Sequence, residues 1–250
     1  MGWPGAISGL AAAVGASMTL LTVVQEVCAR VGVSVPGAVI PGINSNRTMR
    51  EMLACANEMA QRIAYDTREW TRLKKSVTYT GDGVTTAFAL PADYKRMLLT
   101  SNVWLSTSTQ QPMTFISDTD EWMQRRSYVR YGAWGEWTLL GNEILIEPAM
   151  GVGVMARFAY LDKNCITLNS GGYGDTFMND ADTFRLDERV LKLGMIFDWK
   201  QGKGSPYAED MGTWSDALAI AMGSDKPMPI MIDRKSVSSS HWLTPNANIG

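Results

Sequence analysis

The chain has 250 residues, with 23 Lys+Arg against 25 Asp+Glu and a formal charge of −2. A chain this long can bury a core without disulfide or metal staples. So balanced a charge argues against a protein whose main work is gripping phosphate backbones, although a local basic patch or a passage that lets DNA slide through stays compatible with it.

Three cysteines, Cys28, Cys55 and Cys165, lie far apart in sequence and suggest neither a disulfide framework nor a zinc knuckle. Folding in a reducing cytoplasm is expected. The one histidine, His241, falls in a Ser-rich stretch near the C-terminus, so no multi-His metal site and no core Ser-His-Asp triad can be built. Neither a cofactor nor a metal is expected. The 16 methionines and 9 tryptophans suit adaptable contact surfaces as well as a core.

Residues 1–17 are small and apolar but lack a basic n-region, and are too short to span a bilayer. They read as an N-terminal arm. Residues 19–31 then place Leu20, Val23, Val24, Val27, Cys28 and Val31 on one helical stripe, with Thr19 as cap and Gly32 as stop. After a Pro/Gly loop, a second helix is expected over 47–74, capped by Asn46 or by a Thr48/Glu51 capping box. Met49, Met52, Ala56, Met59 and Ile63 form its stripe, and Trp70 and Leu73 extend it.

The period then changes. Residues 77–80 and 85–90 read as a hairpin about Gly81-Asp82-Gly83, followed by a strand over 97–105 and a short helix over 118–127 capped by Asp118. Further strands are expected over 128–131, 136–140, 143–146 and 154–160, with Gly141-Asn142 as a tight turn. Helices return over 187–201 and 206–222. The expected fold is α+β: a helical bundle formed by the N- and C-terminal helices, with an inserted antiparallel β-rich module and extended terminal arms. Its parts are an arm over 1–17, bundle over 18–75, β-rich insertion over 76–161, bundle over 162–223 and a docking arm over 224–250. Met228, Ile230, Met231, Ile232, Trp242 and Leu243 make that last arm too apolar for a plain disordered tail. A tail folding back on its own domain is the other reading.

The first helix, the second helix with Thr48-Met-Arg-Glu-Met-Leu-Ala-Cys-Ala-Asn57-Glu58, and Trp70 with Leu73 resemble the opening of bacteriophage head-to-tail adaptor proteins. Leu90-Pro91-Ala92-Asp93-Tyr94 resembles the phrase after their first hairpin. Phe177-Met-Asn-Asp180-Ala-Asp182-Thr-Phe184, Asp187-Glu188, Leu191, Trp199-Lys200, Lys203-Gly204 and Tyr207 resemble their return into the terminal helices. The likeness covers roughly residues 18–222 and rests on order and spacing. It is to tail accessory factors and tail tubular proteins of short-tailed phages, and to adaptors of long-tailed phages and gene transfer agents. The resemblance implies a structural, non-catalytic subunit of a ring, usually dodecameric, seated on the portal protein at the head–tail junction of the virion. A downstream tail component binds below, DNA passes through, and no membrane is involved.

Arg125, Arg126 and Arg130 cluster around the short helix and face either solvent, a partner or passing DNA. Two other classes have to be weighed. A wall-degrading tail component needs paired carboxylates, for which Glu121, Glu136, Glu143 and Glu147 are the candidates. Glu136 and Glu143 also fit as solvent-facing hairpin partners. Gly171-Gly-Tyr-Gly174 lacks the Lys-Ser/Thr of a phosphate loop. Asp180, Asp182, Asp187 and Glu188 offer hard oxygens for calcium without the EF-hand spacing, so an acidic helix cap is the better reading. A minor capsid or baseplate protein would use the same surfaces as an adaptor.

Overall fold

The computed structural model describes residues 18–41, 46–107, 111–128 and 134–225. The arm over 1–17, Arg130, and the docking residues Met228, Ile230, Met231, Ile232, Trp242 and Leu243 lie outside them.

Helix α1 (Leu20–Val31) begins at Thr19, whose side chain accepts from Thr22 N–H, and ends at Gly32, whose φ of 74° is the left-handed stop a glycine allows. Helix α2 (Arg47–Gln61) is capped by Asn46, which accepts from Thr48 N–H. It is shorter than its periodicity suggests. A π turn follows over Arg62–Asp66 and a 3-10 turn over Thr71–Leu73. This detour folds Trp70 back, and its indole N–H donates to Ile63 O at 2.7 Å. Both Trp70 and Leu73 are buried, but beside the helix rather than on its continuation.

Strand β1 (Lys74–Thr80) pairs antiparallel with β8 (Met155–Asp162). On the other side of β8 run β3 (Tyr94–Met97) and the short β4 (Trp104–Leu105). A second sheet has the order β2 (Ala87–Ala89), β7 (Glu143–Glu147), β6 (Glu136–Leu140), β5 (Thr114–Phe115). The β6–β7 turn at Gly141-Asn142 is as expected. The hairpin about Gly81 is not: β1 and β2 part company and join different sheets. A Cβ on Gly81 would lie 2.5 Å from both Cβ and O of Met150, so this segment packs against the Met150 loop instead of turning tightly on itself. Between β5 and β6 lies α3 (Thr119–Tyr128). A third, small sheet joins β10 (Tyr173–Gly174), β9 (Ile166–Thr167) and β11 (Thr183–Phe184). Helices α4 (Glu188–Gly202) and α5 (Ala208–Asp225) complete the described chain.

The expected helical bundle with an inserted antiparallel module needs correcting. The fold is α+β, but among the described residues five α-helices accompany three sheets, and the body is β-rich. Helices α1, α2 and α5 all touch α4. They do not close a core among themselves, because their apolar stripes also face strands and loops. Leu73, Leu98, Leu161, Ile166, Phe177 and Phe184 belong to the same buried cluster as the helical residues. Nor is β structure confined to the insertion. The third sheet lies at 166–184, and β5 pairs with β6 in parallel.

A second core, centred on Trp137, Ile144, Ile146, Phe158 and Tyr160, fills the space between the two larger sheets. Each large side chain fully buried in either core contributes roughly 1.5–3 kcal/mol. Close approach tightens the first core: a Cβ on Gly194 would meet Met59 Cε at 2.5 Å and Trp214 Nε1 at 3.0 Å.

Candidate interaction site

Several of the phrases that carry the adaptor resemblance sit at joints of the fold. Asp180 turns its carboxylate onto the backbone N–H groups of Val39 and Ile40, the latter at 2.7 Å. Asp182, 1% exposed, accepts from Asn169, Met178 and Asn179 N–H at 2.7–2.8 Å. The carbonyls of the same two aspartates take the N–H groups of Leu21 and Leu20, filling vacancies at the start of α1. Asn57 Oδ1 accepts from Phe177 N–H at 2.9 Å. Asp187 caps α4, accepting from Arg189 and Val190. Of the acidic residues considered for calcium, Asp180, Asp182 and Asp187 are therefore engaged by backbone donors. Among the described residues no group of three or more metal-ligating side chains forms.

Asp93, from the phrase after β2, joins a second knot. Lys75 Nζ lies 2.5 Å from Asp93 and 2.8 Å from Asp162, which has no solvent exposure. Arg185 holds the same Asp162 oxygen at 2.8 Å and spreads its guanidinium 4.1 Å from the Tyr173 ring centroid. Tyr160 donates to Asp93 Oδ1 at 2.9 Å. Burial alone raises the Asp93 carboxyl, but hydrogen bonds from Lys75 and Tyr160 outweigh it and leave the pKa below its usual value. Burial alone lowers Lys75, and its bonds to Asp162 and Asp93 more than reverse that. Burial, reinforced by Asp93, pushes the Tyr160 phenol up to about 12. The knot is a polar weld at the boundary of the two apolar cores.

The arginines around α3 face inward charges. Arg125 reaches Glu121 at 2.6 Å and Glu136 at 2.5 Å, while Arg126 lies 3.4 Å from Glu147. Glu136 and Glu147 stand directly opposite on β6 and β7, both buried. Two like charges in that position repel, and the arginines of α3 cover them. Of the carboxylates weighed for wall hydrolysis, Glu143 is exposed at the far end of the hairpin, opposite Leu140 rather than Glu136. The cysteines are all buried, and burial raises each thiol, Cys165 to about 11.

Two surface features were not read from the sequence. Val84 and Val152 are 82% and 83% exposed on neighbouring turns, tied by Gly83 N–H to Met150 O at 2.9 Å. Turn composition marks these as loops, and nothing in it brings the two loops together. A groove of about 510 Å³ also opens between α1, α4 and α5, lined by Ala29, Leu193 and Ile196 and rimmed by Glu26, Arg30 and Lys192. It follows from helix packing, which periodicity alone leaves open.

No protein-family model matches the chain, and no curated protein matches it.

Proposed function

We propose that this chain is a structural subunit of a phage head-to-tail adaptor, forming a ring, dodecameric by the resemblance, between the portal protein and the next tail component. Its work is binding neighbours, and DNA passes through the ring without being held. The single observation that carries this reading is the ordered series of phrases from residue 18 to 222 that resembles such adaptors. Further support comes from where those phrases lie. Asn57, Asp93, Asp180 and Asp182 hold separate parts of the chain together, as residues tied to a common scaffold do.

Ring subunits bury different patches on their two flanks. The exposed apolar tip at Val84 and Val152 and the groove between α1, α4 and α5 are surfaces suited to that use. The apolar residues Trp242 and Leu243, far along the C-terminal segment, suit an anchor in the portal.

Electron cryo-microscopy of the protein alone and mixed with its portal tests the proposal. A ring seated on the portal is the expected result. A chain that stays monomeric and leaves the portal bare overturns it.

A further inference from the structure

The loops around Gly81 and Gly151 form one stiff knob at the far end of the β1–β8 ladder. Gly83 N–H donates to Met150 O at 2.9 Å, Gly153 N–H to Gly81 O at 3.0 Å and Gly81 N–H to Val154 O at 2.7 Å, so main-chain bonds lace the two loops together. The Asp82 carboxylate stiffens the first loop, accepting from Val84 N–H at 2.9 Å, Thr85 N–H at 2.7 Å and Thr85 Oγ1 at 2.6 Å. Those bonds, the one from the Thr85 hydroxyl first, hold its carboxyl down at about 2, so it is ionised at neutral pH. The knob presents Val84 and Val152, which are more than four-fifths exposed, and Asp82 is the sole charged residue in 80–86 and 148–154. A stiff knob loses little freedom on docking.

The groove between α1, α4 and α5 lies at the opposite end. Its helices belong to the first core, as does Leu161, which faces Lys74 at the start of β1. From there the ladder runs over seven residue pairs, from Lys74–Leu161 to Thr80–Met155, or roughly 20 Å, before the knob begins. A chain's knob therefore does not reach its own groove. The groove has an apolar floor of Ala29, Leu193 and Ile196. Of the charges around it, Lys192 is engaged by Glu26 and Asp210 by Lys200, each at 2.5 Å. Arg30, exposed on the rim, stands outside both pairs.

We propose that the knob of one copy seats in the groove of the next, with Val84 and Val152 on the apolar floor and Asp82 against Arg30. Apolar surface meets apolar surface, and the knob's one carboxylate meets the cation that the groove's own ion pairs do not use. The contact is heterologous: a protrusion on one copy enters a pocket elsewhere on another, and such contacts close into a ring when the rotation per step allows. Two valines and one exposed ion pair make a weak contact, strengthened when many copies are held side by side. The inference rests on the adaptor reading in that copies of the chain neighbour one another, and it names the contact between them.

Cysteine cross-linking of full chains tests it, because Cys28, Cys55 and Cys165 are buried and leave the background silent. A Val84→Cys chain is mixed at millimolar concentration with a Thr213→Cys chain, Thr213 being an exposed residue that lines the groove, and treated with a short bis-maleimide. The product joining 84 to 213 should exceed the 84–84 and 213–213 products. Adding Val152→Asp to the first chain, or Arg30→Glu to the second, should remove most of it, while unchanged thermal melts report that the body is folded. Same-site products in excess, an 84–213 product indifferent to both added changes, or no product at all overturns the proposal. So does a Thr213→Cys chain that resists a monofunctional maleimide, since its groove is then filled within the chain. A ring on the portal without the 84–213 link sinks this contact and leaves the adaptor reading standing, whereas the link formed beside a bare portal upholds the contact and sinks that reading.

Discussion

Asp225 and Thr71 are 154 positions apart in sequence and joined by two hydrogen bonds, one from Thr71 N–H to the carboxylate and one from Thr71 Oγ1 to the Asp225 carbonyl. Arg68 lies 3.5 Å from the same carboxylate. This pairing fixes the end of α5 on the turn before β1. Asp225→Ala should lower stability by about 1–2 kcal/mol, the loss of a charge-assisted hydrogen bond. The midpoint of urea unfolding measures it, and an unchanged midpoint would show that the contact contributes nothing.

If the chain is the proposed adaptor subunit, portal docking should depend on the residues after Asp225. A chain ending at Asp225 keeps α5 and its tie to Thr71, so it should fold normally and lose portal docking. A pull-down with portal beside a circular dichroism melt reads both properties. Docking at full strength by the shortened chain would remove the C-terminal segment from the interface.

Two glycines should respond differently to alanine. At Gly81 a new Cβ meets backbone, with Met150 O at 2.5 Å and Gly151 O at 2.6 Å. At Gly194 the nearest atom is the flexible end of Met59. Gly194→Ala should cost about 1–3 kcal/mol, the range for overpacking, and Gly81→Ala more than that. Thermal unfolding of the two variants gives the order, and a Gly194 variant less stable than the Gly81 variant contradicts it.

Breaking the α3 contact should depend on which arginine is removed. Arg125 reaches Glu136, which is 2% exposed, at 2.5 Å, whereas Arg126 stands 3.4 Å from Glu147. Arg125→Ala should destabilise the fold because it withdraws a partner from a buried carboxylate. Arg126→Ala should cost less. A double-mutant cycle with Glu136→Gln isolates the pair, and a coupling near zero would assign the loss to packing.

The weld of Lys75, Asp93 and Tyr160 contributes to both limbs of the pH profile. Asp93 has a lowered pKa in the fold, so its contribution is present above the unfolded value of about 3.9 and is lost as pH falls through the lower, folded one. Lys75 and Tyr160 are raised, so theirs is complete below about 10 and is lost as pH climbs toward the folded values. Asp93→Asn should flatten the acid limb of stability against pH, and Tyr160→Phe the alkaline limb. Unchanged limbs in urea titrations would separate these groups from the pH response.

Periodicity carried the helices well. The Thr19 cap, the Gly32 stop, the Asn46 cap and the Asp187 cap are local devices, and local pattern suffices to read them. The long stripe through Trp70 and Leu73 was misleading because a buried residue can continue a helical period after the helix has ended. The partners of β1 and β2 were illegible for another reason. Register between strands far apart in sequence is set by which side chains share a core, and Val77 shares one with Phe158, while Phe88 pairs with Ile144. The same holds for Glu136 and Glu147, which look like surface acids until β6 and β7 are closed and α3 is laid across them.

Strand β8 threads both cores. Leu161 belongs to the helix-lined one, while Phe158 and Tyr160 belong to the other. The two halves are thus not beads on a flexible string. The strand is a shared wall: Leu161 points into one core and Phe158 and Tyr160 into the other, so neither core can draw away without stripping side chains from the same strand.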